Sequence, residues 1–348
     1  MRPPFYYRYF QKKERIFSMI WFWLSILALL CWSGSDIFSK LGSNQKDKLS
    51  HWKVVFAVGL IMGIHFVITL IGGAVIDSTV GIETLEATGG GKILASLFYT
   101  DFALIDFIRY LPVAALYILA MVFGYISLRY IELSISSPIC NCSGSLAFIL
   151  CLILGINSMD DLNLTVIIAI VLITLGIVSL GIIENFEDDE RRAARQEKAN
   201  RKYAKSLLAF LLPIIYLIID ALGTYGDELI FSIEGPDGEG IISDYAANSS
   251  FELTFFLVAI FAFIWVKFVK KEKIFKGNKF FYLGAICETV GQVFYMAVMF
   301  SDYTEGMVII SAYCVLSLVW SHIFLKEKLS WKHYVVLVMT AVGIVMLG

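Results

Sequence analysis

The sequence predicts an all-α polytopic membrane protein: ten transmembrane helices arranged as two inverted five-helix repeats. Three observations predict it. Apolar residues make up 58% of the chain and charged residues 17%, with a mean hydropathy of +0.76. The apolar residues come in runs of roughly 20, the length that carries a helix across a hydrocarbon core of ~30 Å. One helix ending also occurs twice. "VLITLGIVSLG" (171–181) and "VMTAVGIVMLG" (338–348) share Gly176, Ile177, Val178, Leu180 and Gly181 with Gly343, Ile344, Val345, Leu347 and Gly348. The short polar segments "SMDDLN" and "KEKLSW" stand before the two copies. An odd number of spans per half turns the second half upside down, the inverted-repeat plan of many secondary transporters.

The expected spans, in order, are 17–39, 54–76, 111–128, 133–155 and 162–183 in the first half. The second half has 206–226, 251–269, 280–300, 306–325 and 332–348. Within a span every backbone polar group must bond inside its own helix, so each run is read as helical. Residues 1–18 form a basic leader without a small-residue cleavage site; they are expected to be non-native, with Met19 the natural start. Residues 19–183 are then the first repeat. Inside it, 77–110 is interrupted by Asp101 and Asp106 and reads as an interfacial amphipathic segment. Residues 184–205, "ENFEDDERRAARQEKANRKYAK", are a water-facing charged linker. Residues 206–348 are the second repeat.

Composition also excludes function classes. The net charge is −2, and no basic patch with interleaved aromatics points to nucleic acid. The six cysteines all fall in apolar runs, none with zinc-site spacing. No metal and no cofactor is expected. Hydrolase and metalloprotease motifs at membrane depth are missing from the sequence, as is a phosphate-binding loop. Energy for any transport would come from a gradient.

Ionisable residues within spans are costly and mark candidate sites. Glu288 lies near the middle of the eighth span, with Gln292 and Tyr295 on the same helix face. Asp220 lies in the sixth span, with Tyr216 one turn before it. Asp36 in the first span follows Trp32 by one turn, and a surface pair between Asp36 and Lys40 is an equal reading. The first and sixth spans correspond, so Asp36 and Asp220 are expected on opposite walls of a central cavity. Asn141 in the fourth span and Tyr313 in the ninth complete the expected substrate-binding set. His65 reads as a packing histidine, with proton relay the alternative. Trp320 is a further candidate for contacting substrate. Trp21, Trp23, Trp52, Trp265 and Trp331, near span ends, read as interfacial anchors.

Several motifs carry a resemblance. "CVLSLVWSHIFLKEKLSWKHYVVLVMTAVGIVMLG" (314–348) has a short loop with Glu327 and then a glycine-containing closing helix. "LALLCWSGSDIFSKLGS" (27–43) has Trp-Ser-Gly followed by Lys40, and "SISSPI" (134–139) begins the fourth span. With these the chain resembles the EamA-type branch of the drug/metabolite transporter superfamily. The resemblance implies a ten-helix fold that moves small metabolites, often outward.

The expected function is therefore a secondary transporter, an exporter of a small polar or cationic metabolite working by alternating access. A lipid flippase on the same fold is the alternative, and a membrane enzyme is a lesser one. The expected partners are a small-molecule substrate and the lipid bilayer; protons and a second copy of the chain stay open. The expected location is the plasma (cytoplasmic) membrane of a bacterium. Lys and Arg set the orientation, because cytoplasmic loops carry the excess. Of the 28 in the chain, 21 fall in the loops after spans one, three, five, seven and nine. That bias places both termini outside, whereas the resemblance implies both inside.

Overall fold

The computed structural model describes residues 5–43, 47–88, 90–155, 164–186, 207–235, 240–275, 279–299, 309–310 and 312–347. The first half contains α1 (Phe5–Gly42), α2 (Ser50–Thr79), α3 (Ile82–Glu86), α4 (Gly91–Phe98), α5 (Leu104–Ser127), α6 (Leu133–Cys140), α7 (Ser143–Ile153) and α8 (Leu164–Phe186). The second contains α9 (Leu207–Phe231), α10 (Asp244–Ile264), α11 (Phe280–Met299), α12 (Tyr313–Trp320) and α13 (Trp331–Leu347). Single π-helical turns, Trp265–Val269 and Ser321–Leu325, extend α10 and α12. No strand occurs among the described residues.

The chain is an all-α polytopic membrane protein. Among the described residues, seven helical stretches are long and apolar enough to cross a bilayer: Ile20–Gly42, Ser50–Thr79, Leu104–Ser127, Leu133–Ile153, Ala209–Phe231, Asp244–Val269 and Phe280–Met299. Shorter apolar helices, Leu164–Leu180, Tyr313–Leu325 and Trp331–Met346, stand where the fifth, ninth and tenth spans are expected. Large apolar side chains face outward along these helices, among them Ile64, Val67, Ile71 and Val75 on α2 and Phe261, Ile264 and Phe268 on α10. Exposed apolar rows of this kind suit lipid, which solvates them as well as a protein core would.

Packing follows a two-fold pattern. α1 packs along α11 as α9 packs along α5. α2 pairs with α10, and α8 with α13. Contacts of α2 with α11 are matched by those of α5 with α10. Exchanging the halves turns each of these pairs into another pair of the set, or into itself. Glycines permit the close approaches. A Cβ at Gly59 on α2 would overlap the carbonyl oxygen of Phe255 on α10, and one at Gly63 would overlap the Phe256 ring. Small residues at helix contacts are how membrane helices gain dispersion energy without a hydrophobic drive.

Several boundaries differ from the sequence expectation. The segment 77–110 is not one amphipathic helix: it holds the end of α2, the short α3 and α4, and the first turns of α5. α3 and α4, of 5 and 8 residues, are too short to span. α5, α9 and α10 each run several residues beyond the expected spans: α5 and α9 run past Asp106 and Asp227, and α10 begins at Asp244. A helix can continue beyond the hydrocarbon because its hydrogen bonds are internal, so a charge does not end it. The fourth span is broken between α6 and α7 at Asn141–Cys142, just after Pro138, which can donate no backbone hydrogen bond. The leader from Phe5 is continuous with α1. Of the expected linker, 187–205 lies outside the described residues, as does the segment 158–163. Trp23 and Trp331 are exposed, whereas Trp21 is buried against Ala297, Val298 and Ile310 and so is no anchor.

The loops gather into two groups. At one end the Lys53 ammonium pairs with Asp47 at 2.6 Å and with Glu272 at 3.4 Å. Arg129 donates to the Lys48 carbonyl at 3.1 Å. At the other end Ser243 donates to Asp101 at 2.6 Å, Tyr245 to Glu86 at 2.6 Å, and Arg109 to the Ile241 carbonyl at 2.5 Å.

Candidate functional site

The halves enclose a cavity of about 510 Å³. All nine residues expected to bind substrate line it: Trp32, Asp36, Asn141, Tyr216, Asp220, Glu288, Gln292, Tyr295 and Tyr313. They come from α1, α9, α11, the α6–α7 break and the first residue of α12, so the site exists only once the halves have packed.

Asp36 holds two of these elements together. Its Oδ2 accepts from the Ser137 hydroxyl on α6 at 2.5 Å and from the Ser317 hydroxyl on α12 at 2.8 Å. The surface pair with Lys40 is therefore not what Asp36 makes. Lys40 is itself 1% exposed and donates to the carbonyls of Leu128, at 2.6 Å, and Ile131. Asp220 on α9 accepts from the Ser143 hydroxyl at the start of α7 at 2.6 Å. The two aspartates are thus held alike, each by a serine from the other half: Asp36 by Ser317 and Asp220 by Ser143. The repeat behind this is legible as Ser-x-x-Cys-x-x-Ser at Ser137–Ser143 and again at Ser311–Ser317. Ser311 lies outside the described residues.

Close approach repeats the symmetry. A Cβ at Gly291 would lie 2.6 Å from the Trp32 ring, and one at Gly124 would lie 2.9 Å from the Tyr216 ring. Trp32 and Tyr216 each stand one turn before their aspartate. Gly291 stands three residues after Glu288, and Gly124 three after Met121. Met121 is therefore the counterpart of Glu288, and both line the cavity. The frame is symmetric, but the carboxylate is present on one side alone. Ser35 and Asp36 are the neighbours that act on Glu288.

Sequence reasoning missed Asp227, Glu228 and Asp244, which also line the cavity. Asp227 accepts from the Tyr110 and Tyr117 hydroxyls at 2.6 and 2.7 Å. These acids fell in expected loops because the sixth span was ended just before Asp227 and the seventh was begun at residue 251. A seven-residue spacing, about 10.5 Å along a helix, sets Asp227 on the face of Asp220, and that spacing could have found it. Trp320, another candidate, does not line the cavity; its indole donates to Ser33 at 3.2 Å.

The cavity is closed at its lysine-rich end and open at the other. Ser39, Leu128 and Leu133 line the closed end and are buried. There Glu327 accepts from the backbone amides of Leu133 and Ser134 at 3.1 and 3.0 Å and from the Ser134 hydroxyl at 2.8 Å. Glu228, Phe231 and Met299 line the opposite end and are exposed. Six carboxylates line the cavity, those of Asp36, Asp220, Asp227, Glu228, Asp244 and Glu288, and no lysine, arginine or histidine lines it among the described residues. The Trp32 Nε1, Asn141 Nδ2 and Tyr125 hydroxyl positions are buried with no hydrogen-bond partner among the described residues, and all three residues line the cavity.

Residues 239–348 match the EamA-like transporter family, part of the drug/metabolite transporter superfamily. The match covers α10 to α13 and includes Asp244, Glu288, Gln292, Tyr295 and Tyr313. The EamA-like part thus brings one wall of the cavity, and the first half brings Trp32, Asp36 and Asn141. No curated protein matches the chain. The match points to a membrane transporter of the drug/metabolite type.

Proposed function

We propose that this protein is a secondary transporter of a small cationic metabolite, working by alternating access. One observation carries the reading: a cavity between two inverted halves lined by six carboxylates and by no cationic side chain among the described residues. Uncompensated negative charge at membrane depth is expensive, and a cationic solute entering the cavity offsets that cost. Trp32 and Tyr216 supply aromatic faces against which a cation gains further attraction. The Trp32, Asn141 and Tyr125 donors suit an acceptor group on the same solute. Asp36, Asp220 and Glu288 form the deep part of the site, and Asp227, Glu228 and Asp244 gather cations at its mouth. Proton and cation compete for Glu288, which couples their movements in opposite directions and favours export from a bacterial plasma membrane. Alternating access fits the unequal ends: bonds at Lys40, Asp36 and Glu327 close one end while the other stands open.

The test is transport by the purified chain in proteoliposomes. A panel of small primary amines, diamines and guanidinium compounds is compared with neutral and anionic solutes of similar size, with and without a pH gradient. Saturable cation movement accelerated by the gradient is expected. Movement of neutral or anionic solutes without cations refutes the proposal.

A further inference from the structure

One buried ionisable pair stands apart from the cavity. His65 on α2 and Glu252 on α10 meet at 2.7 Å, Nδ1 to Oε1. The Glu252 side chain is wholly buried and that of His65 is 13% exposed. Neither lines the cavity. The pair sits on the α2–α10 contact, which is its own counterpart when the halves are exchanged. It is tied to the cavity wall by two amides: Asn248 Nδ2 donates to Glu252 Oε1 at 3.4 Å, and Gln292 Nε2 donates to Asn248 Oδ1 at 3.3 Å. Asn248 and Gln292 both line the cavity, and Gln292 is one helical turn from Glu288.

We propose that His65 and Glu252 form a proton-binding site separate from the cavity, whose state Asn248 and Gln292 convey to the cavity wall. With both ring nitrogens protonated, the pair is a neutral imidazolium–carboxylate couple. Loss of one of those protons leaves an uncompensated negative charge in a buried place, the situation that costs most. The remaining carboxylate oxygen, Glu252 Oε2, has no hydrogen-bond partner among the described residues. The groups acting on the pair are few. Glu252 is the charge that acts on His65, and His65 the charge that acts on Glu252. α4 adds the backbone at Leu97 beside the ring, and α10 adds the Asn248 amide beside the carboxylate. Neither α5 nor α11 contributes a charge to them. Amides do not pass protons along; they report charge by how strongly they are held. Oε1 serves both the imidazole and Asn248, so a proton arriving or leaving changes its hold on Asn248, and Asn248 orients Gln292. This goes beyond the transport reading and rests on it only for what the site would serve.

The test needs no substrate. The full chain in nanodiscs is labelled with ¹⁵N at histidine and at the glutamine side-chain amide, and both signals are followed as pH varies. The His65 ring signal is expected to titrate, and the Gln292 amide to shift with the same midpoint. Glu252→Gln abolishes the Gln292 shift. Should that variant fail to fold, Glu252→Asp keeps the charge and moves both midpoints together. A His65 ring that shows no titration while the protein stays folded overturns the proposal. So does a Gln292 amide with a different midpoint, or a shift that survives Glu252→Gln and disappears in Glu288→Gln. Failure of the transport reading appears elsewhere, as absence of cation movement in proteoliposomes.

Discussion

Gly176 on α8 lies against Thr340 on α13 so closely that an added Cβ would overlap the threonine hydroxyl. The reciprocal contact is present: a Cβ at Gly343 would lie 2.8 Å from Ile173 and 2.9 Å from the Ala169 carbonyl oxygen. Three residues separate Ile173 from Gly176, and three separate Thr340 from Gly343. The repeated helix ending is therefore a contact surface that meets its own copy, with the two helices running antiparallel. A two-fold axis between inverted halves requires this reciprocity.

Gly176→Leu and Gly343→Leu should each force these helices apart. Overpacking of this kind costs about 1–3 kcal/mol, and each variant should unfold at lower temperature in detergent than the parent protein. Gly144→Leu, at a position with open space around it, is the control and should melt as the parent does. Equal melting of all four proteins would remove the interface from the account.

Glu288 sits where the other half has Met121, so it breaks an otherwise symmetric frame. Glu288→Gln keeps the shape and removes the charge. The expected result is loss of at least about tenfold in gradient-driven cation transport, equivalent to about 1.4 kcal/mol, with folding retained. In the parent protein, apparent cation affinity should fall as pH falls, because a proton occupies the carboxylate the cation needs; in the variant that dependence should flatten. An unchanged rate with an unchanged pH profile makes Glu288 structural and moves attention to Asp220.

The lysine-rich loop ends come together at the closed end of the cavity. The positive-inside bias predicts that this end is cytoplasmic, with both termini outside and the open end facing out. Cysteines placed at exposed Glu234 and exposed Lys273, in a chain whose six native cysteines are replaced, test this. An impermeant thiol reagent added to intact cells should label the first and spare the second. The reverse pattern inverts the orientation and makes the open end cytoplasmic.

The sequence by itself determined the membrane class, the order of the spans and the internal repeat. Each rests on local physics: apolar runs long enough for hydrocarbon, and a helix ending written twice. It also marked Asp36, Asp220 and Glu288, because a carboxylate within an apolar run is conspicuous without any partner in view. It could not place Asp227 or Asp244, since nothing local says whether a helix stops at its first charge or carries that charge into a shared cavity. Nor could it say that Ser137, Ser143 and Ser317 bond the aspartates, because small polar residues within spans serve equally for close packing. Glu252 passed unread at the edge of an expected span, and His65 had no visible partner. Tertiary structure decided these points because each depends on helices far apart in the chain meeting face to face. Hydrophobicity selects which residues enter the membrane, but only the packing of the two halves selects which of them meet.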